Sequence, residues 1–333
     1  MMGRVCWLVI ALALVSCHRQ QAGANVTKIR LAIHREPIAF LPMRVAGALG
    51  YYQAEGIAVD TSDVAGGTKA IEALLGGSVD VAAASMSDVM LVAAEGRDLR
   101  GFFVVYTRPS AAVAVAPAQS TVIRTIRDLK GRTVGVSAPG SWTHQFLNFL
   151  LASNGLSPQD VSTVSVGMSA SSVAALEHGT VDAAVLLAGA ISTFEGRHPA
   201  STFMADTRTL DGVRKAFGTD TFPSLGLVAR ETWLRDHGEI ARRLVRAVRR
   251  GMRWVGDHPA EQVRDMVPQD GRMALDADLE SIRQIQQALS LDGRMPPDSP
   301  ALIQKFVAFS NARVRAADID AARFYTNEFA AAK

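Results

Sequence analysis

After Cys17 the chain has no cysteine at all; its only other one is Cys6, inside the first apolar run. A mature chain with one thiol cannot close an internal disulfide, so no disulfide framework is expected. Aromatic residues make up 6% of the chain and are not interleaved with the arginines. The charges nearly balance, with 35 Lys and Arg against 32 Asp and Glu and a net +3. That composition does not build a basic stacking surface, and no nucleic-acid partner is expected. The 7 histidines are scattered, with no pair at metal-ligand spacing on a helix, so neither a metal nor a cofactor is expected. Residues 135–141 begin like a phosphate-binding loop but carry Ser141 in place of the lysine and Trp142 in place of the following Ser or Thr. They fail equally as a nucleophile elbow, because Pro139 replaces the closing glycine. Long apolar runs are also missing: residues 5–15 form an unbroken one, too short to span a bilayer.

That run follows Arg4 and ends in Leu14-Val15-Ser16-Cys17. The pattern is a signal peptide over 1–16, with a lipobox-like site at which Cys17 becomes the lipidated first residue. Residues 17–26 are small and polar, the composition of a flexible tether. Acyl chains on Cys17 would hold the protein at a membrane, at about 0.8 kcal/mol for each buried methylene.

The body of the chain says one thing twice. Residues 64–82 and 166–184 align without gaps, with Ala73-Leu74 on Ala175-Leu176, Gly77 on Gly179 and Val79-Asp80 on Val181-Asp182. Each copy passes from an apolar run through a small-residue loop into a helical pattern, a glycine stop and a second apolar run. Asp80 and Asp182 could pass for paired catalytic carboxylates, but each precedes a buried strand, and helix-to-strand turn geometry accounts for both. Further strands are predicted at 28–34, 57–60, 101–107, 111–116, 132–137 and 224–230, and helices at 41–52 and 142–152. From Glu231 onward the pattern is helical. Arg242, Arg243, Arg246, Arg249, Arg250 and Arg253 lie opposite Ile240, Leu244, Val248, Met252 and Val255 on a helical wheel and read as a solvated face. Strands alternating with helices of this length imply parallel sheets flanked by helices, and the length of 333 residues favours two domains.

In order and spacing the chain resembles the solute-binding proteins of bacterial ABC importers, in the nitrate, sulfonate and taurine branch that includes thiamine-precursor binders. The residues that carry this are Cys17, Gly50-Tyr51-Tyr52 with Glu55-Gly56, Gly66-Gly67, Ala73-Leu74 through Asp80, Asp128 through Val136, and Pro139-Gly140-Ser141. The resemblance runs from about Ile29 to Val255. It implies a two-lobe α/β fold of the type II periplasmic-binding-protein kind, each lobe a mostly parallel sheet flanked by helices. Residues 27–110 and 225–333 would form the first lobe and 111–224 the second. It further implies a monomeric, non-enzymatic periplasmic protein that hands a small solute to a membrane permease and its ATPase. A small organic anion is the expected solute; a thiamine-precursor pyrimidine or an aromatic acid is the alternative. A sensor lipoprotein of the same fold is a rival reading. A pyrimidine-synthesis enzyme is a weaker one, since the cysteine-rich iron motif it would need is missing.

Ligands of open α/β sheets sit beyond the carboxyl ends of the strands. Here those ends lead into donor-rich loops that start helices, at Gly66, Gly67 and Thr68, at Ser85 and Ser87, at Ser137 and Gly140 to Thr143, and at Ser169. Any one hydroxyl reads as a helix N-cap. The set, converging on one cleft, reads as a binding site with helix N-termini aimed at an anion. Arg35 and Arg108 each follow a strand beside a proline and could grip an acid group bidentately, or equally be solvated loop residues. Phe40, Trp142 and His144 are candidates for the cleft wall.

Overall fold

The computed structural model describes residues 26–34, 38–64, 66–266, 279–309, 311–316 and 319–331. Ten strands are present among them: β1 (Thr27–His34), β2 (Ile57–Val64), β3 (Val81–Ser85), β4 (Leu99–Tyr106), β5 (Ala111–Val115), β6 (Thr133–Val136), β7 (Ser162–Ser165), β8 (Ala183–Leu187), β9 (Phe203–Met204) and β10 (Leu225–Arg230). They form two five-stranded sheets, ordered β2-β1-β3-β10-β4 and β7-β6-β8-β5-β9. The two orders match position for position. In the first sheet β10 is the reversed strand, antiparallel to β3 and β4 while the other pairings are parallel. In the second sheet β5 holds the same place, antiparallel to β8 and β9. Both sheets are therefore mixed, with four strands running one way and one inserted against them.

Two inner strands, β3 (VAAAS) and β5 (AAVAV), are fully buried and rich in alanine. Small side chains on both faces let helices approach from either side, and such strands lose the alternation of a half-exposed sheet. The sequence repeat is a structural repeat in detail. Helices Gly67–Leu75 and Ala170–Glu177 occupy equivalent places. Each ends at a glycine of positive φ, 76° at Gly77 and 67° at Gly179. The following N–H groups, of Ser78 and Thr180, return to the carbonyls of Ala73 and Ala175 at 3.0 and 2.9 Å. Asp80 accepts the backbone N–H of Arg30 at 2.9 Å, and Asp182 that of Thr133 at 2.8 Å. The two carboxylates thus pin the neighbouring strand, Asp80 within β1 and Asp182 at the start of β6, a structural use at both copies.

Two segments cross between the sheets and are bonded to each other. Phe222 donates its N–H to the Thr107 carbonyl at 2.7 Å and Ser224 to that of Tyr106 at 3.0 Å. The C-terminal helices lie over this crossing. Thr107 donates both its N–H and its hydroxyl to the carbonyl of Ala288, the last residue of helix Leu279–Ala288. Helix Ser299–Ala308 packs on helix Met86–Ala94 from the first unit and on Trp142–Ser153 from the second. Its Phe306 ring lies 5.0 Å from Phe222 and 5.3 Å from Phe149.

Several elements differ from the pattern-based expectation, among them β2, which runs on to Val64. The helix over 41–52 is two helices, Leu41–Ala48 and Tyr51–Ala54, because Gly50 takes φ +70° between them. The two-residue strand β9 leaves too short a pattern to read. The arginine face of helix Gly238–Asp257 is also less solvated than its wheel suggests. Arg246 pairs with Glu55 at 2.8 Å, and Arg250 lies 4.1 Å over the Tyr51 ring.

Candidate functional site

The strand ends of both sheets face a shared cavity of about 150 Å³. Equivalent loops of the two units line it in pairs. After β1 come His34, Ala39 and Phe40; after β6 come Ser137, Ser141, Trp142 and Thr143. Gly67 follows β2, and Met168 follows β7. Ser85 and Asp88 follow β3, and Leu187 and Ala188 follow β8. The crossing segments add Tyr106, Arg108, Pro109, Ser110, Ser224 and Leu225, and helix Leu279–Ala288 adds Ile285 and Ala288. Most of this wall is apolar, so the few polar groups decide what it recognises.

On the second unit the polar groups are hydroxyls. Ser137, Ser141 and Thr143 form a triangle with oxygen separations of 2.8 to 2.9 Å. The triangle is also the N-cap of helix Trp142–Ser153, since Ser141 accepts the N–H of His144 and Thr143 accepts that of Ser137. His144 itself accepts from the Gly140 N–H through Nδ1, at 2.9 Å, and stands off the cavity wall.

On the first unit the Ser85 hydroxyl is joined by charged or titratable groups. Asp88 sits in the first turn of helix Met86–Ala94 and is only 9% exposed. Its Oδ1 accepts from Gln145 Nε2 of the other unit at 3.2 Å, a bond that spans the cleft. Burial pushes the carboxyl up to about 6, outweighing the hydrogen bonds from Gln145 and the Ser85 backbone that stabilise its ionised form. His34 ends β1, with its ring 5.0 Å from that of Phe40. Burial lowers its pKa to about 4, and its Nε2 is buried with no hydrogen-bond partner among the described residues. Gly67 lies between these two: a Cβ there would meet Asp88 Oδ2 at 2.8 Å and the His34 ring at 3.6 Å. Arg108 extends from the first crossing segment, and burial lowers its pKa too. Its guanidinium reaches Gln287 Oε1 at 3.4 Å and makes no ion pair with a described residue. Ser110 Oγ and Trp142 Nε1 are likewise buried in the wall without a partner among the described residues. Buried polar atoms left unsatisfied are costly, and their concentration around one cavity marks where a ligand's polar groups would go.

Of the residues singled out from sequence, Phe40, Gly67, Ser85, Arg108, Ser137, Ser141, Trp142 and Thr143 meet at this cavity. Gly66, Thr68, Ser87, Gly140 and Ser169 lie beside it rather than on its wall. Ser87 is instead buried against the Ser85 hydroxyl at 3.0 Å, and the Gly140 carbonyl accepts from Gln145. Arg35 and Cys17 fall outside the described residues. Sequence reasoning missed His34, Asp88, Ser110 and Ser224. Asp88 had a signal, as the single charged residue in the mostly apolar stretch 81–94, where a carboxylate needs a reason.

The family described as NMT1/THI5 like matches residues 38–262. Among curated proteins, a putative binding protein of Bacillus subtilis (strain 168), YtlA, is 23% identical over 265 residues, 78% of this chain and 75% of that one. A solved protein from Bordetella bronchiseptica RB50 is 31% identical, covers 91% of this chain and 96% of its own, and superposes with a TM-score of 0.83. The alkanesulfonate-binding protein SsuA from Xanthomonas axonopodis pv. citri, solved with MOPS bound, is 16% identical over 86% of this chain and 93% of its own, with a TM-score of 0.68. With two matching sheets closed around one cavity, this chain has the two-lobe periplasmic-binding-protein fold and belongs to the NMT1/THI5-like family.

Proposed function

We propose that this protein is the extracytoplasmic solute-binding component of an ABC importer, tethered to a membrane through Cys17 and binding a small organic anion between its lobes. The observation that carries the reading is Arg108: a partly buried guanidinium on the wall of the interlobe cavity, with no carboxylate paired to it among the described residues. An acid group on the solute supplies the missing partner, and the hydroxyl triangle at the start of helix Trp142–Ser153 supplies further donors. The apolar wall of Phe40, Trp142, Leu187 and Leu225 favours an organic body over a bare inorganic oxyanion. The protein performs no catalysis in this reading, since the hydroxyls are bonded to one another rather than to a base.

Residues 27–110 with 225–333 would move as one body and 111–224 as the other. Contacts from both lobes to one solute favour the closed form by their differential binding energy. Native mass spectrometry of protein purified from its own periplasm identifies the solute, and calorimetry measures it against variants. Arg108→Ala is expected to weaken binding by about 1.5–3 kcal/mol, the size of a hydrogen bond to a charged group. Unchanged affinity in that variant would sink the anion assignment.

A further inference from the structure

We propose that closing the lobes takes up a proton, and that its acceptor is the Asp88 carboxyl beneath the Gln145 side chain, so that through this group acid favours the closed form. The inference rests on the solute-binding reading above for its consequence, a solute held longer in acid, but not for its test.

Side chains of the two lobes meet in three places. Gln145 of the second lobe donates to Asp88 of the first at 3.2 Å. Ser192, on helix Ala188–Arg197, shares a hydrogen bond of 2.7 Å with Ser281 on helix Leu279–Ala288. Phe306 lies against Phe149. Of the three, only the first contains a titratable group. Closure lays Gln145 over Asp88, which is 9% exposed. A carboxylate taken out of water without a cation is costly, and a proton removes that cost.

No cation is at hand in the packed elements. Lys69 pairs with Glu72, Arg100 with Glu231, Arg313 with Glu95 and Arg323 with Asp98. Arg230 donates to the carbonyls of Leu74 and Val79, while Lys305 and Arg315 are exposed. Tyr106 and Arg108 line the same cavity, where Arg108 reaches Gln287. His144, on the helix of Gln145, accepts from Gly140. The neutral acid has a partner that the carboxylate lacks. Gln145 Oε1 is buried with no hydrogen-bond partner among the described residues, an acceptor in need of a donor. A protonated Asp88 supplies that donor, so the bridge between the lobes gains a hydrogen bond as it loses its charge.

The fold does not require the carboxylate. In the duplicated unit the equivalent helix starts at Ala188 where the first has Met86, and its third residue is Ala190 where the first has Asp88. His34 is the other titratable group facing Asp88, across Gly67. Burial acts on it in the opposite sense, since a desolvated histidine gives up its proton. The neighbours the structure gives it, Phe40 and Gly67, belong to its own lobe, whereas Asp88 is bridged by the other.

Single-molecule energy transfer on the solute-free chain counts closed and open molecules directly. Dyes at Lys69→Cys and Ala170→Cys, exposed at the starts of two equivalent helices, report the cleft once Cys6→Ala and Cys17→Ala remove the other thiols. A carboxyl that moves from 3.8 to about 6 on closing should raise the closed-to-open ratio roughly tenfold between pH 8 and pH 5. His34→Gln is expected to keep at least that rise. Asp88→Asn, which keeps the shape and removes the titration, is expected to lose it, alone or with His34→Gln. Each protein is also measured with Phe306→Ala, which loosens the lobes behind the cavity and keeps both forms countable. A ratio that rises with acid in neither background would overturn the proposal, as would a rise that survives Asp88→Asn. Either result leaves the importer reading standing, because that reading is decided by native mass spectrometry and by Arg108→Ala.

Discussion

His34 and Asp88 meet across Gly67, and burial moves them in opposite directions. Asp88 rises from 3.8 to about 6, so between those values the folded chain holds a proton that the unfolded chain has lost. Stability from this group falls as pH rises through that window. His34 drops from 6.5 to about 4, so over nearly the same range the unfolded chain holds the proton and stability rises with pH. Each shift corresponds to about 3 kcal/mol as an upper bound, and the two largely cancel. Asp88→Asn removes one side of the balance. Urea unfolding of that variant at pH 4.5 and pH 7 is expected to show a gain in stability with pH up to about 2 kcal/mol larger than in the wild-type protein. Equal gains in the two proteins would mean that Asp88 ionises normally.

At the scale of elements, the long helix Gly238–Asp257 shows how closely the first lobe is assembled. It packs on Leu41–Ala48, and Gly251 sits where the two backbones approach. A Cβ at Gly251 would run into the Pro42 carbonyl oxygen and come within 3.2 Å of the Ala46 methyl. On the same helix Gly256 is exposed, with only Leu289 at an ordinary 3.5 Å. Both glycines lie inside a helix, where alanine is intrinsically better by about 0.8–1 kcal/mol. Gly256→Ala is therefore expected to stabilise the protein by up to that amount. Gly251→Ala is expected to destabilise it by about 1–3 kcal/mol despite the same gain, because the helices must separate. Denaturant melts of the pair decide it; equal effects would show that no close approach exists at Gly251.

At the scale of the whole molecule, the lobes are joined by more than their two crossing segments. Phe306, from the C-terminal helix Ser299–Ala308, lies 6.0 Å from Trp142, 5.3 Å from Phe149 and 6.0 Å from Phe217, all in the stretch between the crossings. The same helix packs on Met86–Ala94, which carries Asp88. This aromatic cluster ties the lobes together behind the cavity, and Trp142 belongs to both cluster and cavity wall. Phe306→Ala is expected to cost about 3–5 kcal/mol and to enlarge the ligand-free molecule in small-angle scattering, with Phe306→Leu intermediate. A radius of gyration unchanged in both variants would mean that the cluster does not restrain the lobes.

Much of this was written in local sequence. The duplicated stretches 64–82 and 166–184 fixed two equivalent folding units, because glycine stops and period-matched apolar runs act over a few residues and leave local marks. The donor-rich loops at Gly67, Ser85 and Ser141 were legible for the same reason, since helix starts have their own chemistry. What local pattern cannot carry is convergence. β10, from residue 225 onward, inserts between β3 and β4, and β5 does the same in the other sheet. Those insertions bring His34, Asp88, Arg108, Ser224 and Ile285 to one cavity from five separate stretches of chain. A histidine at the end of a strand and an acid in the first turn of a helix each look ordinary alone. Only the tertiary fold removes them from water, leaving the Asp88 carboxyl without a cation and His34 Nε2 without a hydrogen-bond partner among the described residues, and that desolvation makes them a site.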